Sequence, residues 1–397
     1  MKTARSCFYH PLQEDKKMLT EKEISRYSRH LLLPEIGKEG QEKLKNSSVL
    51  VIGAGGLGCP VLSYLTAAGI GKIGILDFDI VDESNLQRQV LYGINDIGKS
   101  KSEIAKQKLA GQNPLIEIES FNSKLSTQNA LEIFSKYNII VDGTDNFATR
   151  YMINDACVLL GKSLVSGSIY KFQGQVSVFN LQNTPVAGPT YRCLFPSPPP
   201  AKSAPSCSEI GVMGVLPGII GTFMANEVIK IITAIGEILS GKVLLVDALS
   251  MVFHKITLER NPLAIQSAPQ NAEEFRKMNY DYFCGTQGNN IPIRDILPSE
   301  LLSLLSSKEN IQVIDVREPN EQPEITEFNH LKIPLGEIEK HVGSIDKEHR
   351  VIVICRSGIR SRKAIELLSG KYGFQNLYNL KGGWMNCMGV FNKQQEQ

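Results

Sequence analysis

The sequence predicts an α/β protein with two domains, a Rossmann-like domain whose sheet is mostly parallel and a smaller α/β domain after it. The length of 397 residues exceeds one ordinary domain. In the first part, β-rich runs alternate with helical runs, which is typical of a parallel sheet covered by helices. A polar stretch at residues 261–290 precedes a second alternation of the same kind. We therefore expect domains at residues 20–262 and 291–391, joined by a linker at residues 263–290.

The individual elements follow from short apolar runs and from helical spacing. A segment rich in Pro and Ser at residues 185–208 cannot form a regular helix and predicts a long surface loop. In the second domain, residues 312–315 and 351–354 are expected strands. In the first domain, the expected order is strand 49–52, helix 59–68, strand 73–76, helix 101–109, and strands 116–120, 139–141 and 243–246.

The composition narrows the class of protein. Hydrophobic residues make up 42% and charged residues 21%, which is typical of a globular chain with a sizeable core. The net charge of +2 is too small to indicate a nucleic-acid-binding surface, so no nucleic-acid partner is expected. The eight cysteines form no CxxC pair, and they predict reduced thiols in a cytoplasmic protein.

No membrane association is expected from the apolar segments. The first ten residues have no apolar run of the kind that a secretory signal needs. The most apolar stretch, residues 212–235, is interrupted by Pro217, Gly218 and Gly221 and carries Glu227 and Lys230. A membrane span would need roughly 20 unbroken apolar residues. This stretch therefore predicts a buried helix preceded by a loop.

A glycine-rich loop, GAGGLG at residues 53–58, lies directly between an expected strand and an expected helix. Glycines there allow a tight turn and bring a phosphate close to the backbone at the helix N-terminus. Asp77 follows at the end of the next strand, where a carboxylate can bind ribose hydroxyls. Taken alone, this pattern fits an NAD-binding Rossmann unit as well as any other nucleotide site.

The residues that follow favour ATP over NAD. Cationic groups lie downstream of Asp77, in SNLQRQ at residues 84–89 and in GKSK at residues 98–101. The loop at residues 142–146 then carries two carboxylates. A dehydrogenase has no general need for this set, whereas Arg and Lys neutralise a triphosphate and an Asp can hold Mg²⁺. An NAD-dependent oxidoreductase remains the weaker alternative, because no residues for hydride chemistry accompany the loop.

An ordered series of motifs resembles the MoeB/ThiF family of E1-like adenylyltransferases, which activate small ubiquitin-like sulfur carriers. The series is RYSRH at 26–30, GAGGLG at 53–58, DFD at 77–79, SNLQRQ at 84–89, TDN at 144–146 and YRCLFP at 191–196. The resemblance spans residues 20–262 and implies adenylation with Arg88, Lys101 and Asp145 in central roles. The implied site for ATP and Mg²⁺, with Asp145 on the metal, comprises Arg29, Gly53, Gly55, Gly56, Asp77, Ser84, Asn85, Arg88, Lys101, Asp145 and Asn146.

Arg29 and Ser84 differ from the other residues of this implied site. Arg29 matches an arginine that reaches the ATP of the neighbouring subunit in the family's dimer, so a homodimer is expected. Ser84, like the nearby Lys99, can equally be an ordinary turn or solvated residue. Arg88 and Asp145 are the stronger candidates for direct contact with the nucleotide.

The chain departs from the family at the zinc site. Related enzymes hold a structural zinc with two CxxC pairs, but the first pair is here Thr190 and Cys193. The segment that should hold the second pair, residues 263–267, contains no cysteine. Because a tetrahedral zinc site needs its full set of donors, we predict no zinc and expect Cys193 to be a small buried thiol.

Two other cysteines in this domain have open interpretations. Cys207, in the Pro-rich loop, aligns with a cysteine that in related enzymes takes the carrier as a thioester or acyl persulfide. An ordinary exposed loop thiol is the alternative. Cys59 opens the helix after the glycine loop, where the helix dipole could lower its pKa, but a packing role beneath the nucleotide is favoured.

The second domain contains a reactive-cysteine loop. The expected strand ends directly before CRSGIRS at residues 355–361, and a helix is expected at residues 362–368. Backbone N–H groups and the helix N-terminus then face the sulfur of Cys355, and the cations Arg356 and Arg360 favour a thiolate or an anionic persulfide. The predicted persulfide loop comprises Cys355, Arg356, Ser357, Gly358, Ile359 and Arg360.

The spacing in this loop separates two chemistries. A cysteine phosphatase typically places its phosphate-binding Arg six positions after the Cys, but that position is Ser361. Arg360 has the spacing of rhodanese sulfurtransferases. The flanking DVREP at 315–319, IPL at 333–335 and KGGW at 381–384 also resemble the rhodanese family, over residues 291–391. Pro323 and residues 328–330 depart from its usual glycine–histidine–isoleucine–proline run, which predicts an altered pocket rim.

The order of the two domains in this chain resembles that of fused MoeZ- and MOCS-type adenylyltransferase-sulfurtransferases. The two resemblances imply ATP-dependent adenylation of the C-terminal glycine of a MoaD- or ThiS-like carrier ending in Gly-Gly. A Cys355 persulfide, charged by a cysteine desulfurase or by thiosulfate, would then give a thiocarboxylate for molybdopterin or thiamine biosynthesis. The alternative hypothesis is a carrier-binding module that does not adenylate, attached to an active rhodanese.

Overall fold

The computed structural model describes residues 18–182, 187–199, 211–284, 293–307 and 309–395, with side chains described as far as residue 389. The chain divides into two compact units, Met1–Tyr280 and Asp281–Gln397. Each unit has its own sheet.

The first unit is built on an eight-stranded sheet in the order β3-β2-β1-β4-β5-β6-β7-β8. Strands β3, β2, β1, β4 and β5 are parallel, whereas β6, β7 and β8 continue the sheet in antiparallel pairs. The strands are β1 Ser48–Ile52, β2 Lys72–Leu76, β3 Glu117–Phe121, β4 Ile139–Asp142, β5 Ser163–Tyr170, β6 Gln173–Phe179, β7 Lys242–Asp247 and β8 Val252–Thr257.

The helices of the first unit cover this sheet or connect its strands. They are α1 Glu21–Arg26, α2 Ser28–Leu31, α3 Gly37–Lys45, α4 Gly58–Ala68, α5 Lys101–Gln112, α6 Ala130–Ser135, α7 Phe147–Leu160, α8 Tyr191–Leu194, α9 Leu216–Thr233, α10 Pro262–Gln266 and α11 Ala272–Lys277, followed at the boundary by α12 Tyr280–Phe283. Two 3₁₀ helices, Glu83–Asn85 and Ile94–Asp96, lie between β2 and α5. The predicted α/β class with a mostly parallel sheet is confirmed.

The central strands are apolar along their length because both faces of a parallel sheet are covered by helices. Strands β1 and β4 are buried almost throughout, whereas every residue of the edge strand β8 is exposed. Helix α9 is long and apolar enough for a membrane span by length and composition alone. It nevertheless lies in the core, where it packs against α4, β5 and β6 and buries Ile220, Met224 and Val228.

The surface loop predicted at residues 185–208 is wrong for residues 191–194, while the other described residues of 187–199 carry no helix or strand. Residues 191–194 form α8, and both Tyr191 and Arg192 are buried. Arg192 makes two hydrogen bonds to the carboxylate of Asp155, at 2.8 and 2.7 Å. Because a buried guanidinium needs a partner, this ion pair fixes α8 against α7. Sequence composition alone does not reveal such a pairing.

The segment before the second unit has regular structure. Helices α10 and α11 lie within residues 262–277, and Phe275 and Tyr280 are buried. The hydroxyl of Tyr280 donates to Asp155 at 2.8 Å, which ties this segment to the core of the first unit.

The second unit contains a five-stranded parallel sheet in the order β11-β10-β12-β13-β9. Two apolar clusters cover its faces, one around Val351, Val353 and Leu368, and one around Leu301 and Trp384. The elements are β9 Arg294–Ile296, α13 Pro298–Ser306, β10 Ile311–Asp315, β11 Leu331–Lys332, the 3₁₀ helix Leu335–Ser344, β12 Arg350–Ile354, α14 Ile359–Tyr372, β13 Leu377–Leu380 and α15 Gly383–Gln395.

Candidate functional sites

The register of the first sheet brings three loops to one edge. Ile52 of β1 pairs with Leu76 of β2 on one side and with Asp142 of β4 on the other. Gly53, Asp77 and Gly143, the next residue of each strand, therefore lie side by side. Strand order reverses between β1 and β4, and this is where ligands bind in open α/β sheets.

The glycines of the first loop are required by close contacts. Gly53 has a φ of +88°, in the left-handed region that favours glycine. A Cβ on Gly58 would lie 1.9 Å from the carbonyl oxygen of Gly53. A Cβ on Gly56 would meet Pro217 at 3.1 Å and the Arg88 side chain at 3.7 Å. The loop is therefore compressed between the sheet edge, α9 and the segment that carries Arg88.

Asp77 fastens this loop to the sheet. Its carboxylate accepts hydrogen bonds from the N–H of Ala54 at 2.7 Å and from the N–H of Asp79 at 2.8 Å. Burial raises the pKa of Asp77, and the two N–H bonds offset this only in part, so the net pKa lies above its usual value. The predicted contact of Asp77 with ribose remains a prediction.

The two predicted cations lie beside the loop in different states. Lys101 is buried at the start of α5, and its ammonium lies 3.0 Å from a carboxylate oxygen of the half-exposed Asp79. Arg88 is half-buried with its side-chain stem over Gly56, and its guanidinium donates to the carbonyl of Ser84 at 3.0 Å. Both positive charges therefore lie between the end of β2 and the first turn of α5.

Ser84 and Asn85 form part of a capped turn on the same segment. The Ser84 hydroxyl donates to Asp82 at 2.5 Å and its backbone N–H donates to the same oxygen at 2.9 Å. The carboxamide of Asn85 accepts from the N–H of Asp82 at 3.4 Å. The structure thus gives Ser84 a turn role, while any contact with a nucleotide remains a prediction.

The third loop joins β4 to α7. Asp142 is buried and accepts both the backbone N–H and the hydroxyl of Thr144, at 3.0 and 2.7 Å. Asp145 is exposed, and Asn146 caps α7 by accepting the N–H of Thr149 at 2.9 Å. The carboxylate of Asp145 is therefore exposed on the loop before α7, whereas that of Asp142 is buried and bonded to Thr144.

Three neighbouring residues were missed by the sequence analysis. Tyr92 donates to the carbonyl of Ala54 at 2.8 Å, and Gln89 is buried with its amide nitrogen near Gly55. Arg150 is buried and donates to the carbonyl of Thr144 at 2.8 Å. Gln89 belongs to the SNLQRQ motif and could have been selected from it, but Tyr92 and Arg150 have no signal in the spacing.

Arg29 and Cys207 are predicted site residues that the structure does not place in this cluster. Arg29 lies on α2 and is exposed, as a residue that reaches a neighbouring subunit must be. Cys207 falls outside the described residues, so its predicted role is neither supported nor weakened.

Cys193 lies where the family's zinc site would be. It is only partly buried, so the prediction of a fully buried thiol is wrong. Its sulfur accepts the N–H of Thr190 at 3.3 Å and the N–H of Asn261 at 3.2 Å. These bonds join the two segments that a zinc ion would bridge. Within the described ranges, no group of three or more His, Cys, Asp or Glu side chains could hold a metal ion.

The cysteine loop of the second unit follows β12. Cys355 is buried, and its sulfur accepts the N–H of Gly358 at 3.1 Å. The Ser361 hydroxyl lies 3.4 Å from this sulfur and 2.6 Å from the carboxamide oxygen of Asn379. Gly358 has a φ of +89°, and a Cβ on Gly383 would come within 2.5 Å of the loop backbone.

These contacts determine the acidity of Cys355. Burial acts to raise the pKa of the thiol, but hydrogen bonds from Ser361, Ser357 and Gly358 outweigh it, and the net pKa lies below the usual value. Three of the donors are backbone N–H groups of the loop itself. The loop and the first turn of the following helix thus supply hydrogen-bond donors to the sulfur, while the predicted persulfide on Cys355 remains a prediction.

The loop cations differ from each other. Arg356 and Ile359 are exposed at the surface of the loop. Arg360 is paired with the carboxylate of Glu321, which the sequence analysis missed. The two residues are separated by 39 positions, so local spacing gives no sign of the pair.

The geometry defines a class of protein before any comparison. A glycine loop at a sheet switch point with cations beside it is a site for a nucleotide phosphate chain. A buried, hydrogen-bonded cysteine at the end of a parallel strand is a site for thiolate chemistry. One chain therefore combines nucleotide-dependent activation with sulfur chemistry.

Comparison with known proteins agrees with this class. Residues 27–265 match the ThiF family and residues 297–388 match the rhodanese-like domain. The chain is 43% identical over 379 residues to a protein of Mycobacterium tuberculosis named probable adenylyltransferase/sulfurtransferase MoeZ, covering 94% of this chain and 95% of that protein. It is 49% identical over 267 residues to the sulfur carrier protein adenylyltransferase of Thermus thermophilus, covering 67% and 98%.

A solved structure shares the fold of the first unit. The crystal structure of Escherichia coli MccB with ATP has a TM-score of 0.51 and 24% identity, covering 60% of this chain and 72% of that chain. The chain belongs to the ThiF family and carries a rhodanese-like domain. It is an adenylyltransferase and a sulfurtransferase, and it uses ATP. Both predicted resemblances are confirmed.

Proposed function

We propose that the first unit adenylates the C-terminal glycine of a small ubiquitin-like sulfur carrier of the MoaD or ThiS kind, and that Cys355 supplies the sulfur. The observation that carries the proposal is the buried sulfur of Cys355, which accepts hydrogen bonds from its own loop and is thereby favoured as an anion. The name of the Thermus relative, sulfur carrier protein adenylyltransferase, supports a carrier as the substrate.

In the adenylation step, a carboxylate oxygen of the carrier attacks the α-phosphorus of ATP and pyrophosphate leaves. Because a carboxylate is a weak nucleophile, positioning and charge neutralisation supply most of the catalysis. Arg88 and Lys101 neutralise the phosphates, and Lys101 exchanges its partner Asp79 for a phosphate oxygen. The glycines of residues 53–56 let the phosphates approach the backbone, and Asp77 holds the ribose.

Mg²⁺ is proposed at Asp145. Mg²⁺ in nucleotide sites keeps several waters and needs only one or two protein carboxylates besides the phosphates. The exposed carboxylate of Asp145, at the same sheet edge as the glycine loop, fits this requirement. Asn146, which caps α7, keeps the amide nitrogen of its side chain for the nucleotide.

In the sulfur step, the terminal sulfur of the Cys355 persulfide attacks the carbonyl carbon of the acyl-adenylate and AMP leaves. The product is an acyl disulfide between the carrier and Cys355. A second thiol then attacks the Cys355 sulfur of this disulfide, so that the carrier leaves as a thiocarboxylate and a disulfide to Cys355 forms. Cys207 is our candidate for a covalent contact with the carrier.

The remaining proposals concern the surroundings of the enzyme. We expect a cytoplasmic homodimer in which Arg29 of each subunit reaches the ATP of the other, and exposure of Arg29 on α2 supports this. A cysteine desulfurase or thiosulfate charges Cys355, and the thiocarboxylate enters molybdopterin or thiamine biosynthesis.

The test is mass spectrometry of candidate carriers after incubation with the full chain, ATP, Mg²⁺ and a sulfur donor. A true partner gains one sulfur in place of one oxygen, and ATP–pyrophosphate exchange appears only when that carrier is present. A panel of carriers ending in Gly-Gly that supports neither exchange nor sulfur gain would contradict the proposal.

A further inference from the structure

The guanidinium of Arg360 is held by a carboxylate. Its two terminal nitrogens lie 2.7 and 2.6 Å from the two carboxylate oxygens of Glu321, which is a bidentate pair. The Arg360 side chain is 31% exposed and that of Glu321 17%. Because partly buried charges are screened less than exposed ones, Glu321 cancels much of the positive charge of Arg360.

Arg360 nevertheless lies within electrostatic reach of the sulfur. The bonds to Glu321 raise the pKa of Arg360 most, and the negative charge of the Cys355 thiolate raises it further. Arg360 is thus the cation that could attract an anionic sulfur donor to Cys355, and Glu321 is the group that competes for it.

Glu321 is fixed in place by a buried frame. Arg317 pairs with Asp315 inside the unit, and it also donates to the carbonyl of Pro323 at 2.7 Å. The backbone N–H of Glu321 donates to the carbonyl of Glu318 at 3.1 Å, which closes a turn. The carboxylate is therefore presented to Arg360 by a pinned loop.

The surroundings of Glu321 add negative charge. The residue lines a cavity of about 260 Å³ in which four carboxylates face two cations. Asp315 pairs with Arg317, and Glu324 pairs with Lys332 at 2.6 Å. The charged residues of the lining are Asp315, Arg317, Glu318, Glu321, Glu324 and Lys332.

Charge matters in the loading of Cys355. When thiosulfate is the donor, the thiolate attacks its outer sulfur, a new S–S bond forms, the S–S bond of thiosulfate breaks, and sulfite leaves with the electron pair. The charge balances, because a thiolate and a thiosulfate dianion give a persulfide anion and a sulfite dianion. Three negative charges meet in the encounter, so a free cation beside the sulfur lowers the barrier.

We propose that Glu321 is a specificity-determining residue of the sulfurtransferase site, which selects against dianionic sulfur donors by occupying Arg360. Thiosulfate must displace a bidentate carboxylate, whereas a donor of lower charge loads Cys355 without that exchange. The inference rests on the proposed role of Cys355 as the persulfide carrier.

The test compares Glu321→Gln, Glu321→Asp and Glu324→Gln in the full chain. Glu324→Gln is the matched control, because it removes the same charge from the same cavity. The native Glu324 pairs with Lys332 and not with Arg360. The first readout is the rate of Cys355 modification by iodoacetate divided by the rate with neutral iodoacetamide, followed on the Cys355 peptide. The second is the KM for thiosulfate in sulfur transfer to cyanide.

The rate ratio should rise about fivefold or more in Glu321→Gln, and the KM for thiosulfate should fall by a similar factor. Glu324→Gln should change both by less than about twofold, and Glu321→Asp should behave like the unaltered chain. An unchanged or lower ratio in Glu321→Gln would overturn the proposal. Absence of sulfur transfer in every variant would sink the persulfide role instead, while the alkylation ratio would still decide the effect of Glu321.

Discussion

Two buried cysteines, one in each unit, lie near the junction between a parallel strand and the helix that follows it, and their pKa values shift in opposite directions. Cys59 follows the glycine loop after β1, and Cys355 begins the loop after β12. The Cys59 thiol donates to the carbonyl of Ala54 at 3.5 Å, and burial raises its pKa to about 12. Cys355 is also buried, but its sulfur accepts several hydrogen bonds that outweigh burial, and its pKa is lowered. The hydrogen bonds that each sulfur accepts, set against the burial of the thiol, therefore distinguish the two cysteines.

The largest expected effect separates these two residues. Cys355→Ala should lower thiosulfate sulfur transfer at least about 10³-fold, because no other thiol in the loop can carry the sulfur. ATP–pyrophosphate exchange should stay within about twofold, because Cys355 is remote in sequence from the glycine loop and belongs to the other compact unit. Both activities are measured on the same preparation.

Cys59→Ala is the matched control for that substitution. It removes a buried thiol from the strand–helix junction of the first unit, and both activities should persist because burial raises the pKa of Cys59 to about 12 and disfavours its thiolate. Loss of sulfur transfer in Cys59→Ala, or loss of exchange in Cys355→Ala, would show that the comparison between the loops is wrong.

The reverse selectivity is expected from the first unit. Arg88→Ala removes the guanidinium over Gly56 and should reduce ATP–pyrophosphate exchange about 10²- to 10³-fold, because charge on the phosphates is no longer neutralised. Sulfur transfer from thiosulfate should not change. Lys99→Ala is the control, since Lys99 is an exposed cation on the same segment. An equal loss in both variants would indicate a general field effect and no specific contact.

A smaller effect tests which hydrogen bonds lower the pKa of Cys355. Ser361 has one hydroxyl proton, and it can turn this proton from Asn379 to the sulfur when Cys355 is a thiolate. Ser361→Ala removes a bond that lowers the pKa of Cys355, so the pKa should rise. Alkylation by iodoacetamide should then need a higher pH and should be slower than in the unaltered chain at every pH below the pKa.

Ser357→Ala is the control for this measurement. Ser357 acts on the sulfur through its backbone N–H, which the substitution keeps. Its pH profile should match that of the unaltered chain. If Ser361→Ala leaves the pH profile as unchanged as Ser357→Ala does, the side chain of Ser361 has no part and the backbone N–H groups alone set the acidity of Cys355.

The sequence predicts both loops because each is a local pattern, a buried strand followed directly by a short loop and a helix. Parallel pairing then brings the loop ends together without further information, as Ile52, Leu76 and Asp142 show. What local pattern cannot predict is pairing between distant positions. Glu321 reaches Arg360 over 39 positions, and Asp77 bonds to Ala54 over 23.

The same limit explains the error at Cys193. Sequence comparison with the zinc-binding pattern correctly identifies the missing cysteines, but the surroundings of the remaining one depend on Asn261, which is 68 positions away. The sulfur of Cys193 accepts two backbone N–H groups, as the sulfur of Cys355 accepts the N–H groups of its loop. Cys193 joins two chain segments, however, whereas Cys355 is bonded by a single loop.

The smallest expected effect tests this joining role. Cys193→Ala leaves the N–H groups of Thr190 and Asn261 without their sulfur partner, which should cost about 1–2 kcal/mol in the free energy of unfolding of the first unit. Cys193→Ser, whose hydroxyl can still accept, should cost less.

Urea unfolding followed by circular dichroism measures the change, and the fluorescence of the single Trp384 reports the second unit in the same samples. A lower midpoint by circular dichroism with an unchanged Trp384 transition is expected, because the two bonds lie entirely within the first unit. If Cys193→Ala and the unaltered chain unfold at the same urea concentration, the thiol does not take over the linking role of the zinc ion, and packing of α8 against α10 must hold these segments together.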